Sequence, residues 1–520
     1  MQKLKQLVWF VLLVSVSVPA MAQTRDFTNL ISYRRSGSGP ILENDNLKGY
    51  YAFYMYDKAD KKNDAYLLQL MDDNLNLVKS IDVLRPRGDY LMETVFNGTC
   101  FVSMFYNKKN GLDLTSYDKA GKTLGTHQVP DLPKMEERRI AMALTYSSDD
   151  VANSSIFTLG NQGFVRQSFA KNEKTGYSLE AYDNNMKVIW TFGSDPQSEL
   201  LEMCDVIYSS EKYIVISVVR KKSLMTRNTD SFIIMLDAKT GKSVFEKAMK
   251  DNNEWSVLNV FIDEEKSTLY YFGEYYPVGE EVNKSKSEGV VMMTLDVTGK
   301  EILKKKFSWV KDLNTILKTD LNEAVDTKGN IRPYFHRIYK AQNGHIIAVG
   351  EQYGKAASAM GIASRAMGGG GSVIQMNILN MVVLDINSSD LSVSSYNAYL
   401  KKKTNVQFPS GFETASATQL AMYMKLTGGF DYEFSTYDIA KDKFACVYRD
   451  YDRKKDDGEK ADLMLGVIKY EGGKLAGARM PIMVNSNRFS LSPAKPGFVA
   501  VTEYYRKKKT LTFRLEKLIY

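Results

Sequence analysis

Cysteine, histidine, tryptophan and proline are all scarce: 3, 3, 4 and 12 in a chain of 520 residues. The cysteines, Cys100, Cys204 and Cys446, are odd in number and far apart. That excludes a disulfide framework, and a chain of this size builds its core without one. They read as small buried apolar residues, with one disulfide plus a free thiol as the alternative. Of the histidines, His336 and His345 are near neighbours and His127 stands apart. Two histidines without a matching acidic set make no transition-metal site. No H-E-x-x-H, G-x-S-x-G or P-loop occurs. The acidic run Asp456-Asp457-Gly458-Glu459 lacks the ligand spacing of a calcium loop. The reading therefore assigns no catalytic residue, no metal and no cofactor. After residue 22 no apolar run approaches the length of a membrane span. Scarce proline beside 32 tyrosines and 24 phenylalanines favours strands. A hydrophobic share of 44% with 25% charged residues excludes wholesale disorder, collagen and coiled coil.

Residues 1–22 read as a secretory signal peptide. Lys3 and Lys5 open it, a stretch dominated by apolar residues runs from Leu7 to Val18, and Ala20-Met21-Ala22 is a small-x-small cleavage site before Gln23. Cleavage there leaves one domain over 23–520 and lowers the net charge from +8 to about +6. The expected location is the periplasm or the exterior.

A pattern recurs along the rest: an apolar strand ending in Asp, a short turn that often holds Gly-Lys, then another strand. Copies sit at Asp118, Asp237 and Asp296, with looser ones at Asp72, Asp183, Asp385 and Tyr470. Asp at the turn entry accepts backbone N–H groups, and Gly supplies the positive φ that closes the loop. The turns lie 46–89 residues apart. Several strands per repeat at such a period predict an all-β β-propeller. Seven units fall at about 40–85, 90–130, 140–193, 200–250, 255–308, 331–401 and 430–484. The last stretch, 488–520, supplies three strands, and residues 27–33 are the expected fourth. That predicts eight blades closed by the N-terminal strand, with seven the alternative. A linker around 312–330, an insertion at 354–375 and a short helix at 414–426 account for the two longest gaps.

The segment Ile234-Met235-Leu236-Asp237-Ala238-Lys239-Thr240-Gly241-Lys242-Ser243-Val244-Phe245 resembles the repeat of quinoprotein-like propellers, apolar-Asp-x-x-Thr-Gly-Lys-x-x-Trp, and the Asp296 copy is similar. The Trp of that repeat is Phe245 or Leu303 here, while Trp190 sits at a comparable place. The chain is also similar to exported propellers of Bacteroidota. The resemblance implies architecture only. A quinone-dependent dehydrogenase is disfavoured, since the residues that hold that cofactor and its metal are not identifiable.

Two features bear on function. Second strands of several blades end in an acid plus Tyr: Glu274-Tyr275, Glu351-Gln352-Tyr353, Asp450-Tyr451 and Glu503-Tyr504. Ringed on one face, they suit a small ligand such as a sugar or peptide, or, as paired carboxylates, glycoside chemistry. The plain alternative is tyrosines packed between blades and acids satisfying amides or lysines. The loops that follow these strands are lysine-rich. Lys58, Lys61 and Lys62, Lys108 and Lys109, Lys221 and Lys222, Lys454 and Lys455, and Lys507 and Lys508 converge on one face of a propeller. Such a face attracts an envelope protein or an anionic glycan or lipid surface, whereas nucleic acid is not expected of an exported protein. The plain alternative is solvated hairpin loops. The insertion at 354–375, small and weakly apolar with Gly368 to Gly371 as a hinge, is a mobile loop or docks on a partner or membrane. The sequence thus points to an exported, non-catalytic binding or scaffold propeller, with a carbohydrate-active enzyme using the rim carboxylates as the other reading.

Overall fold

The computed structural model describes residues 23–32, 36–43, 46–145, 154–170, 176–222, 230–280, 286–319, 331–369, 372–438, 441–452 and 462–518. They form eight sheets in chain order, each built on an antiparallel four-stranded meander. These are blade 1 (36–86), blade 2 (90–129), blade 3 (156–193), blade 4 (201–248), blade 5 (255–308), blade 6 (332–407), blade 7 (432–481) and blade 8 (489–517 with 23–27). The fold is the expected eight-bladed propeller.

The core explains why so many strands are apolar without alternation. In Gly289–Asp296, Val291, Met293 and Leu295 pack towards Met235 and Phe245 of blade 4, while Val290 and Met292 pack towards Phe335 and Leu384 of blade 6. A middle strand has a neighbouring blade on either side, so both of its faces are apolar. Each such side chain withdrawn from water contributes about 1.5–3 kcal/mol. Apolar clusters of this kind lie at each junction between successive blades, including that between blades 8 and 1.

The turn aspartates behave as read. Asp118 Oδ1 accepts from the backbone N–H of Ala120 and Lys122, both at 2.8 Å, and Asp72, Asp183 and Asp296 repeat the pattern. Blade 6 departs from it. There Asn387 caps the turn, and Asp385 instead meets His345 Nδ1 at 2.6 Å. Blade 7 needs no Asp, because Gly472 and Gly473 both take positive φ in a two-residue turn.

The outermost strands lock onto the next blade. Trp190 of blade 3 lies against Gly241 of blade 4, and Phe245 of blade 4 lies against Gly299 of blade 5. The positions singled out through the quinoprotein-like repeat are thus the inter-blade contacts.

Closure is by the N-terminal strand, but at Gln23–Phe27 rather than 27–33. Gln23 to Phe27 pair with Leu515 to Leu511. Asn29 then turns the chain at φ 65°, which ends the extension. The strand is polar because only Phe27 faces the core. Residues 1–22 and Tyr33 lie outside the described residues.

The insertions have more structure than expected. The second and third strands of blade 6 run long, His345–Ala357 and Ile374–Asn387, so Gly354 to Ala357 remain paired with Asn377 to Ile374. Thr404–Gln407 adds alongside, and Leu317–Thr319 pairs in parallel with the outer strand. Among the described residues three helices of eight or more residues interrupt the strands, α1 (Lys134–Thr145), α2 (Ala359–Ala366) and α3 (Ala417–Thr427), besides the short helical turns Trp309–Leu313 and Asn314–Ile316. Helix α3 has a capping box between Ser416 and Gln419 and ends at Gly428 with φ 65°. Helix α1, unforeseen in the sequence reading, carries mixed charges and anchors through Ile140 and buried Glu136. All three cysteines are free thiols, and Cys100 and Cys446 are buried.

Candidate functional site

In each meander the first and third strands run towards one face of the ring and the second and fourth towards the other. The loop after each second strand therefore shares a face with the connection to the next blade. This face, here the loop face, carries Lys58, Lys61, Lys62, Lys108, Lys109, Lys222, Lys286, Lys507, Lys508 and Lys509, all exposed. Lys221 is half-buried at the end of its strand. Lys454 and Lys455 lie outside the described residues. Lys508 stands 5.7 Å from the Tyr505 ring. The topology thus brings together lysines that are scattered along the chain.

The acid-plus-tyrosine ends are on the same side but turned inward. Glu274, Glu351, Asp450 and Glu503 are at most 1% exposed. Glu351 Oε2 accepts from the backbone N–H groups of Asp431 and Tyr432 at 3.0 and 3.2 Å, at the entrance to blade 7. Its Oε1 lies 3.0 Å from Lys401 Nζ, which also reaches Asp431 at 2.5 Å. Burial pushes both acids up, with Lys401 opposing. The two carboxylates outweigh the burial of Lys401 and hold its ammonium above the usual lysine range. Asp450 accepts from Lys402 N–H at 2.8 Å and meets Arg479 at 2.6 Å. Glu503 accepts from Asn485 and Ser486 N–H and is paired with Arg514. These three acids stitch strand entrances together, the role of a buried carboxylate whose amides and cations replace water.

Glu274 differs. Its oxygens accept from Ser287 Oγ at 3.0 Å and Tyr276 Oη at 3.2 Å. Burial raises its pKa, with Arg332 and these hydroxyls opposing. Of the tyrosines, Tyr275, Tyr353 and Tyr504 are buried between strands or under α3, and Tyr451 is half-buried. The acid-and-tyrosine ends therefore fill the blade junctions instead of lining an open rim.

The innermost strands line the axis of the ring. Innermost strands of blades 2, 4, 5, 6 and 7 each carry one bulge, at Met92, Ile207, Leu258, His336 and Glu433. His336 stacks on Tyr432 with ring centroids 4.4 Å apart and planes at 5°. Burial holds its imidazole well below the ordinary pKa, so the ring is neutral. Helix α3 hangs over this wall, joined to blade 5 by Tyr276 and Thr418 at 3.2 Å. From it Lys425 reaches 5.6 Å from the Tyr432 ring. Lys425 and Asp205 of blade 4 are exposed, yet both have pKa values displaced by surrounding protein. Both side chains therefore reach solvent while much of what surrounds them is protein. Burial, then Arg337, lowers Lys425 to about 8, with Asp205 opposing. No acid-plus-Tyr motif marks these residues in the sequence, because an isolated Lys on a short helix carries no pattern. Among the described residues no cluster of three metal-ligating side chains occurs.

The chain belongs to DUF6770, a family of unknown function, whose model matches residues 1–519. No curated protein matches it in sequence. Solved structures resemble it at the level of the fold. The WD40 domain of SCAP from fission yeast is 9% identical with a TM-score of 0.37, covering 95% of this chain and 98% of that one. The polysaccharide lyase Uly1 is 10% identical with a TM-score of 0.39, covering 82% and 89%. A europium-containing methanol dehydrogenase is 8% identical with a TM-score of 0.35, covering 80% and 77%. Enzymes and non-enzymes thus stand side by side among the DUF6770 chain's structural neighbours.

Proposed function

We propose that this DUF6770 protein is an exported, non-catalytic binding propeller whose loop face holds a polyanionic partner of the cell envelope. One observation carries the reading: exposed lysines from the loops of blades 1, 2, 4, 5 and 8 share that face. Among the described residues, none of Lys58, Lys61, Lys62, Lys108, Lys109, Lys222, Lys507 or Lys509 is spent on an ion pair, so their charge is free for a ligand. Acids are interleaved on this face at Asp57, Asp60, Glu280 and Glu288, and on the opposite face lysines neighbour the turn aspartates Asp118, Asp183, Asp237 and Asp296. Export is supported by the charge, apolar stretch and small-x-small pattern of residues 1–22. The enzyme reading has less support, because three of the four rim acids already have amide and cation partners.

The test is binding of the mature chain to heparin, a soluble polyanion, across a salt series. Affinity is expected to fall steeply with salt. Replacing Lys221, Lys222, Lys454, Lys455, Lys507 and Lys508 by Gln is expected to weaken it on the order of tenfold or more, since each screened surface contact contributes a few tenths of a kcal/mol. Equal binding by the variant would overturn the reading. Amino-terminal sequencing of the secreted chain, expected to begin at Gln23, tests export.

A further inference from the structure

The exposed large apolar side chains are not spread evenly. Those borne by loops or helices are Ile31, Met135, Val278, Val310, Ile316, Met360, Ile362, Met367, Met422 and Met483. Every one lies on the loop face. The loops and turns of the opposite face carry none among the described residues. The others stand on strands: Leu77, Val78, Leu84, Val188, Ile189, Val244 and Ile302 on outermost strands, and Met203 on an innermost one.

On the loop face the most exposed of them cluster on the arc from blade 5 to the start of blade 8. Met367 is 82% exposed, Met483 78%, Met360 76% and Val278 72%. Their carriers protrude. Gly279 beside Val278 and Gly368 beside Met367 have positive φ and no heavy atom within 4 Å of where a Cβ would stand. Helix α2 rests on its hairpin through Gly361, where a Cβ would collide with the Ser372 carbonyl. That contact leaves Met360, Ile362 and Met367 in water. Cations flank the same arc: Lys286, Lys402, Lys403 and Lys507 to Lys509 are exposed, with exposed acids interleaved at Glu280, Glu288 and Asp312, while Arg365 of α2 is paired with Glu413 at 3.3 Å.

Apolar tips on three separate carriers, the Val278 loop, helix α2 with Met367, and the Met483 connection, differ from the one broad apolar core of a typical folded-partner interface. They match a fluid bilayer, where each tip enters the acyl boundary independently and the lysines meet anionic headgroups. We propose that the loop face from blade 5 to blade 8 docks on an anionic lipid bilayer, with Val278, Met360, Ile362, Met367 and Met483 inserting. This rests on the polyanion-binding reading of the same face and names its partner.

The experiment uses the mature full-length chain and three probes: phosphatidylcholine vesicles, the same vesicles with about one-third phosphatidylglycerol, and heparin. A variant carries Val278→Ser, Met360→Ser, Ile362→Ser, Met367→Ser and Met483→Ser. All five side chains stand in solvent, so the fold tolerates the changes. The expected result is binding to the anionic vesicles that drops at least about tenfold in the variant, with heparin binding unchanged. Met360, Met367 and Met483 are also expected to resist peroxide oxidation when the wild-type chain is on vesicles. Equal vesicle binding by the variant, or unprotected methionines, overturns insertion. Binding to heparin without binding to anionic vesicles overturns the membrane partner and leaves the polyanion reading standing. Binding to neither overturns both.

Discussion

Trp190 and Ala238 join blades 3 and 4: the indole Nε1 donates to the Ala238 carbonyl at 2.9 Å. The same indole covers Gly241, where a Cβ would stand 2.5 Å from the ring. Gly241 also has φ 67°, so the turn and the junction demand the same residue. Gly241→Ala is expected to destabilise the chain by about 1–3 kcal/mol, through strain and displaced packing. Trp190→Phe, which loses the hydrogen bond, is expected to cost about 1–2 kcal/mol. Urea denaturation midpoints check both, and unchanged midpoints would show that this junction bears no stability.

Ring closure makes a second expectation. Phe27 is 1% exposed and meets Tyr54 of blade 1 at 5.8 Å and Phe513 of blade 8 at 6.4 Å between ring centroids. Phe27→Ala is expected to cost about 3–5 kcal/mol, the penalty of a large aromatic removed from a core. Thr24→Ala, on the exposed side of the same strand, is expected to have little effect. Comparable losses from the two would contradict closure through the buried face.

Glu274 gives a pH dependence of defined sign. Burial raises its folded pKa above the unfolded value, so the folded state holds the proton more tightly. Its stabilising contribution is complete below the unfolded carboxylate pKa and is lost as pH rises through the folded one. Glu274→Gln keeps an acceptor for Ser287 and Tyr276 and removes the titration. The variant is expected to match or exceed the wild-type melting temperature near about pH 8, and to gain less towards about pH 4. Melting curves across that range decide it, and a variant uniformly less stable than wild type would contradict it.

Lys425 is expected to react unusually fast. Its pKa of about 8 leaves a large neutral fraction at mildly alkaline pH, and its side chain is exposed. Limited acylation followed by peptide mass spectrometry is expected to label Lys425 ahead of exposed Lys507. Asp205→Asn is expected to speed labelling further, because Asp205 favours the ammonium. Labelling of Lys425 no faster than Lys507 would contradict the lowered pKa.

Much of the fold was legible in the sequence for a local reason. The Asp-turn pattern is closed by hydrogen bonds within five residues, as at Asp118 with Ala120 and Lys122, so residue type and spacing suffice to find it. The run Val290 to Leu295 shows its strand by composition, because both faces are buried. The closing strand was harder to place. Gln23–Phe27 is held by pairing with Leu511–Leu515, nearly five hundred residues away, and its polar residues carry little signal. The candidate site divides the same way. The lysine loops follow from topology once the blades are counted.

By itself the sequence determined the repeat, the strand content and the face on which each loop emerges, because a meander of fixed strand number sends alternate loops to alternate sides. Only the tertiary structure decided which side chains remain available there. Glu351 and Lys401 are fifty residues apart, and nothing local says that the acid is consumed by that ammonium and by the amides of blade 7. Met483 carries no mark in the sequence, and only packing leaves it, like Met360 of the insertion, in water. Burial is a property of the whole ring, set by what each blade presses against.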